Sequence, residues 1–205
     1  THNLKKSFVH MNNSITLFDN FDIKIKEGEL VAIVGPSGSG KSSLLHLLAL
    51  LDEPTKGKIS INKQNTKILS HDQKDEVRRK NISIIFQDNN LLTDFTAIEN
   101  VMMPLIINNE KATTINQKAE KILQSLKILN RSNHFPNELS GGEQQRVAIA
   151  RALIAETKII LADEPTGNLD FKTSKEIFSI FLKLKKLKKT IIFATHNREL
   201  ANRAD

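Results

Sequence analysis

The stretch Gly35-Pro36-Ser37-Gly38-Ser39-Gly40-Lys41-Ser42 constrains this chain more than any other, because it matches the phosphate-binding loop pattern of Gly, four residues and Gly-Lys-Ser/Thr without a mismatch. Three glycines let the backbone turn tightly and aim successive N–H groups inward, and a helix starting near Lys41 adds the positive end of its dipole. In such a loop Lys41 places a point charge on the outer phosphates. The Ser42 hydroxyl sits where Mg²⁺ is held, and Ser43 adds a second hydroxyl. The surroundings are those the motif demands: residues 30–34 form a buried-strand run before it and residues 44–51 supply an apolar helix after it. A chance glycine-rich turn would need neither.

The 205 residues, 39% hydrophobic and 26% charged, suit one large globular domain or one domain with a small insertion. No uncharged apolar run reaches the roughly 18 to 20 residues that a spanning helix needs, and there is no signal-peptide hydrophobic region, so a soluble cytosolic chain is expected. The lack of cysteine excludes a disulfide framework and a thiolate metal site. A net charge of +7 admits nucleic acid, an anionic membrane surface or a lysine-rich proteome, and by itself chooses none of them.

Alternating residues predict strands over 4–8 and 21–26 with a turn at 12–14, then a turn at 52–57 and a short strand over 58–62. A charged helix is expected over 71–80 and a strand over 81–86, ending at Gln87. Residues 88–137 differ: 96–107, with a break at Pro104, and 115–129 carry apolar residues at helical spacing, and no strand lies between them. A helix at 143–155, a strand at 158–162, a helix at 173–186, a strand at 190–194 and the start of another helix follow. Strands flanked by helices imply a mostly parallel sheet that binds ligands at its carboxyl ends.

Residues 159–164 form an apolar run that delivers Asp163 and Glu164 at its C-terminal end, as a Walker B segment does. Asp163 there holds Mg²⁺, and Glu164 stands where a carboxylate takes a proton from attacking water. Read alone, two acids at a strand end are also an ordinary surface turn; beside a phosphate loop the catalytic reading is favoured. Leu139-Ser140-Gly141-Gly142-Glu143-Gln144-Gln145 places a serine and two glycines at a helix start, either a plain cap or a second anion site. This segment resembles the signature of ATP-binding cassette ATPases. Gln87 matches their Q-loop, residues 167–170 their D-loop and His196 their switch histidine, so the resemblance covers nearly the whole chain.

The resemblance implies an α/β P-loop NTPase cassette with a mostly parallel sheet core, an N-terminal antiparallel β part and a helical insertion. It would be a single domain over 1–205, with 1–87 and 138–205 as nucleotide-binding core and 88–137 as the helical subdomain. It implies ATP and Mg²⁺ as ligands and a head-to-tail pair of cassettes, each ATP lying between the loop of one copy and Ser140, Gly141 and Gly142 of the other. By the same resemblance Gln87 senses Mg²⁺ and the membrane partner, His196 touches the γ-phosphate, and Asp170 couples the two sites. Phe8 aligns with the aromatic that stacks on adenine, usually tyrosine, and its alternative is a core phenylalanine. Ser43 stands where threonine is commoner and Asn197 where aspartate is. Related cassettes run a few elements beyond the position of Asp205.

Residues 162–170 resemble one bacterial branch, containing lipoprotein-releasing ATPases, macrolide-type exporters and the cell-division cassette. Within it, residues 91–101 look most like the lipoprotein-releasing ATPases. Transmembrane permease subunits would then be the partners, and the chain would sit peripherally on the cytoplasmic face of the inner membrane. DNA-repair cassettes carry long coiled coils or zinc modules, whereas the insertion here is short and cysteine-free, so no nucleic-acid partner is expected. Residues 88–101 are expected to dock the membrane partner through Leu91, Leu92 and Phe95, the competing reading being that these three anchor the insertion to the sheet. The lysine run at 183–189 reads as a solvated helix end.

Overall fold

A computed structural model describes residues 1–10, 13–167 and 169–205. Strands β1 (His2–His10) and β2 (Asn13–Phe21) pair antiparallel, with Phe8 opposite Ile15. The second strand therefore lies earlier than its alternation suggested. Ile23 and Ile25 do alternate in burial with their neighbours, and Ile25 packs on the core, but residues 22–26 join no ladder. The turn read at 12–14 rests on Asn12, which lies outside the described residues, while Asn13 and Ser14 already belong to β2.

β3 (Leu30–Val34) leads into the glycine loop and helix α1 (Lys41–Leu48). This helix stops short of Leu51 because Leu50 turns left-handed at φ +58, and the Leu51 N–H closes the end on the His46 carbonyl at 2.9 Å. The single strand expected over 58–62 is split. β4 (Lys56–Lys58) pairs with β1, while β5 (Ser60–Ile61) and β6 (Gln64–Asn65) make a small hairpin. Asn62 and Lys63 both take positive φ between β5 and β6, the geometry that lets a two-residue turn follow the strand twist.

Helix α2 (His71–Asn81) opens on a Ser70/Gln73 capping box and runs into β7 (Ile82–Ile85). Two helices then follow, α3 (Ala97–Ile107) and α4 (Ala112–Ser125). Pro104 lies inside α3 and does not break it. Val101 and Leu105 on either side of it are buried in the core, and that packing holds the helix through the missing N–H. α5 (Gly141–Ile154), β8 (Ile159–Asp163), α6 (Phe171–Lys186), β9 (Thr190–Thr195) and α7 (Arg198–Ala201) complete the α/β pattern.

The parallel sheet runs in the order β3-β9-β8-β7 and is covered on both faces. Alternation divides its side chains: Ile160, Ala162, Ile191 and Phe193 face the core shared with α3 to α6, and Leu161, Ile192 and Ala194 face the core shared with α1 and β1. Phe193 meets Phe178 of α6 edge-on, with ring centroids 5.6 Å apart. Because Val34 pairs with Thr195, Asp163 with Ala194 and Ile85 with Ala162, all four strands end together. No helix among the described residues is long and apolar enough to cross a membrane.

Candidate functional site

The four aligned strand ends deliver the four chemical segments to one edge of the sheet. β3 feeds the glycine loop, β9 feeds His196, β8 ends on Asp163, and β7 is followed by Gln87. A cavity of about 560 Å³ lies across these ends, walled by Gly38, Gly40, Lys41, Ser42 and Ser43 on one side and by Gln87, Asp163, Glu164 and His196 on the other. Ser37 joins the loop wall, whereas Gly35, Pro36 and Ser39 shape the loop from behind.

Two glycines are required by the backbone: Gly38 at φ +78, and Gly40, the N-cap of α1, at φ +88. A Cβ on Gly35 would stand 2.6 Å from the Ser39 hydroxyl, so the loop closes on itself there. Lys41 Nζ donates to the Gly35 and Pro36 carbonyls at 3.0 and 3.1 Å, folded along the rim of the cradle it would share with phosphates. It also lies 3.9 Å from Glu164 Oε1, both side chains being about one-tenth exposed.

Glu164 follows β8 in a left-handed conformation at φ +42, a strained choice for a residue with a Cβ. Its N–H extends the ladder to the Ala194 carbonyl at 3.0 Å, and its Oε2 sits 3.0 Å from His196 Nδ1. Gly167 folds back beneath it, donating to the Glu164 carbonyl at 2.9 Å; a Cβ there would lie 3.3 Å from Glu164 Cβ. Asp163 is buried, and its Oδ1 has no hydrogen-bond partner among the described residues. With Ser42 and Gln87 lining the same cavity, this orphaned carboxylate oxygen completes an all-oxygen donor set whose chemistry fits Mg²⁺. No three His, Cys, Asp or Glu cluster as a metal cage among the described residues.

Phe8 is 44% exposed at the mouth of this cavity, with Lys6 Nζ 4.7 Å from its ring centroid. It is not a core phenylalanine. Leu17 of β2 is a wall residue that sequence reasoning missed; only its strand register brings it to Gly40. Ser140, Gly141 and Gly142 do not line this cavity. They open α5, where Ser140 and Glu143 form a capping box. Bonds from the Ser140 backbone, and then from Arg131, hold the Glu143 carboxyl below its ordinary range. Asp170 is likewise outside the cavity. It caps α6, accepting from the Lys172 and Thr173 N–H groups, and bonds to Thr173 depress its pKa. Asn197 caps α7 through the Leu200 N–H. Asn168 lies outside the described residues.

A family model described as ABC transporter matches residues 18–167. The chain belongs to the ABC transporter family. Solved ABC cassettes share its fold: the dimer of the ATP-binding cassette MJ0796 in a post-hydrolysis state bound to ADP and Pi superposes with a TM-score of 0.94 at 40% identity, covering 99% of this chain and 90% of that one. Among curated relatives, the lipoprotein-releasing system ATP-binding protein LolD of Rickettsia bellii (strain RML369-C) is 50% identical, over 99% of this chain and 90% of its own length. The LolD protein of Rickettsia conorii (strain ATCC VR-613 / Malish 7) is 47% identical over the same shares.

In this cassette the segment after Gln87 is divided by burial. Leu91 packs on the core, whereas Leu92 and Phe95 are 43% and 40% exposed. The loop that presents them is held by Asn100, a fully buried amide: its Nδ2 donates to the carbonyls of Leu92, Phe95 and Thr96, and its Oδ1 accepts from the Leu92 N–H. One polar residue on the apolar face of α3 was the sequence signal for this clamp. At the end of α6, Lys183, Lys186 and Lys188 are solvated as expected, but Lys189 caps the carbonyls of Glu156 and Thr157.

Proposed function

We propose that this cassette is the ATP-hydrolysing subunit of a transporter that releases lipoproteins from the inner membrane toward the outer membrane. The observation that carries the hydrolytic reading is the placement of Glu164 between Lys41 and His196, behind a phosphate loop and beside the orphaned Asp163 oxygen. ATP enters with its phosphates on the N–H groups of residues 37–43, where Lys41 exchanges its two carbonyl partners for phosphate oxygens. Phe8 offers its ring to adenine. Mg²⁺ held by Ser42, Asp163 and Gln87 would neutralise charge on the β- and γ-phosphate oxygens. Glu164 takes the proton of the attacking water as its oxygen bonds to the γ-phosphorus and the bond to the β-phosphate oxygen breaks; His196 steadies the γ-phosphate.

A second copy supplies Ser140, Gly141 and Gly142 across a twofold axis, with Asp170 between the sites; the separation of this segment from the cavity of its own chain supports that reading. Residues 1–87 and 138–205 act as the nucleotide-binding core and 88–137 as the helical subdomain. Transmembrane permease subunits dock on 88–101 and hold the cassette peripherally on the cytoplasmic face, with no nucleic-acid partner. The names of the Rickettsia relatives support lipoprotein release over the exporter and division functions. Glu164→Gln tests the centre of the scheme. It keeps the shape of the side chain, so ATP binding should persist in a trapped dimer while turnover falls by about 10²- to 10⁴-fold, the usual worth of a positioned base. Turnover like that of the wild type would refute the assignment.

A further inference from the structure

A second cavity, of about 230 Å³, shares Gln87, Glu164 and Gly167 with the first and lies where three site-bearing segments meet: the loop after Gln87, the start of α5, and Glu164 with Gly167 and Leu169. Two buried polar atoms of its lining residues have no hydrogen-bond partner among the described residues, Gln145 Nε2 and Asn89 Oδ1. One is a donor and the other an acceptor, and they come from opposite sides of the junction. Gln145 is 4% exposed on α5, the helix that begins with Gly141 and Gly142. Asn89 stands two residues after Gln87 in a left-handed turn at φ +59. Arg151 of the same helix already ties this turn down, its Nη1 and Nη2 donating to the carbonyls of Asn90 and Asn89 at 2.6 Å each.

A buried amide left without a partner is costly, so two complementary ones facing a common space mark a place built for something polar. Glu164 and Asp88 on the same wall make an anion a poor occupant. Water fits, and there is room for several molecules at about 30 Å³ each. We infer that ordered water bridges Gln145 Nε2 to Asn89 Oδ1 and fastens the Gln87 loop to α5, making both amides positioning residues for hydrolysis. They set where Gln87 stands relative to Glu164 without touching nucleotide. The inference rests on the hydrolytic reading of Gln87 and Glu164 given above.

Two substitutions remove the bridge with little other damage. Asn89→Gly deletes the acceptor while accepting the positive φ, and Gln145→Met keeps the length of the side chain but loses the donor. On the full chain, ATP affinity, turnover and Tm are measured for each variant and for the pair. Each single variant should lower kcat about tenfold, the worth of one lost hydrogen bond, with ATP affinity unchanged. The double variant should be no worse than the worse single one in kcat and in Tm, because either loss breaks the same bridge. Asn89→Asp, which keeps an acceptor oxygen and tolerates the left-handed turn, should retain turnover. Additive losses of Tm would overturn the bridge, and non-additive Tm with unchanged kcat would overturn its positioning role. Since the Tm cycle does not depend on catalysis, it still decides the bridge if Glu164→Gln proves fully active and the hydrolytic reading falls.

Discussion

Replacing Gly40 by alanine should damage stability and nucleotide binding together, by amounts that follow from two separable contacts. At φ +88 a Cβ meets its own backbone, a cost of about 1 to 2 kcal/mol for an L-residue. The same Cβ would stand 3.3 Å from both Cβ and Cδ1 of Leu17, forcing β2 and the loop a few tenths of an ångström apart. Overpacking of this kind adds about 1 to 3 kcal/mol. The sum, roughly 2 to 5 kcal/mol, corresponds to a Tm fall of roughly 4 to 20 °C at about 2 to 4 °C per kcal/mol for a chain of this length. Because Gly40 caps α1, the shift also turns the N–H groups that face phosphate, so ATP affinity should fall at least tenfold. Gly38→Ala is the internal comparison. Its φ is +78 but nothing lies within 4 Å of its Cβ, so it should carry the backbone cost alone. Adding Leu17→Ala to Gly40→Ala should then recover the part of the steric loss that Cδ1 causes and leave the contact with the residue-17 Cβ and the backbone part. Thermal unfolding followed by far-UV circular dichroism, with equilibrium ATP binding on the same samples, reads both effects. Equal losses for Gly38→Ala and Gly40→Ala, or no recovery from Leu17→Ala, would refute the assignment of the cost to Leu17.

Phe8→Ala should weaken ATP binding by about ten- to a hundredfold, from the roughly 1 to 3 kcal/mol of base stacking, and Phe8→Tyr should be nearly silent; normal binding by the alanine variant would remove the stacking role. Phe95→Asp should leave a folded, ATP-binding chain, since Phe95 is 40% exposed, yet abolish co-purification with transmembrane subunits; a buried unpaired charge costs an interface several kcal/mol. Retained co-purification would end the docking role of residues 88–101. The Glu143 carboxyl is held below its ordinary value of 4.5, so the charge-dependent part of its cap is fully present above that value and is lost as pH falls through the lower folded one. Tm should therefore fall more steeply in the wild type than in Glu143→Gln as pH drops from about 5 to 3, and parallel curves would contradict this.

The local chemistry of this protein was written in short stretches of sequence. Gly35 to Ser42, Asp163-Glu164 and Ser140 to Glu143 could be read because glycine conformation, strand burial and helix capping are set by near neighbours. The glycine-loop strand came out with its exact bounds for the same reason. Boundaries failed where a tertiary partner decides: of the strand read at 21–26 only Phe21 joins a ladder, at the end of β2, and Pro104 does not interrupt a helix that the core holds on both sides. Whether an alternating run joins a ladder depends on which distant strand lies beside it, and no local pattern encodes that. The gathering of Lys41, Gln87, Asp163, Glu164 and His196 into one cavity also belongs to the tertiary structure alone. It follows from the order β3-β9-β8-β7 and a register that ends four strands at one level. Leu17 and Asn89 were invisible as site residues because nothing near them in the chain explains them. Their partners lie across the fold, and the free energy of burying or pairing them exists only once those partners have met.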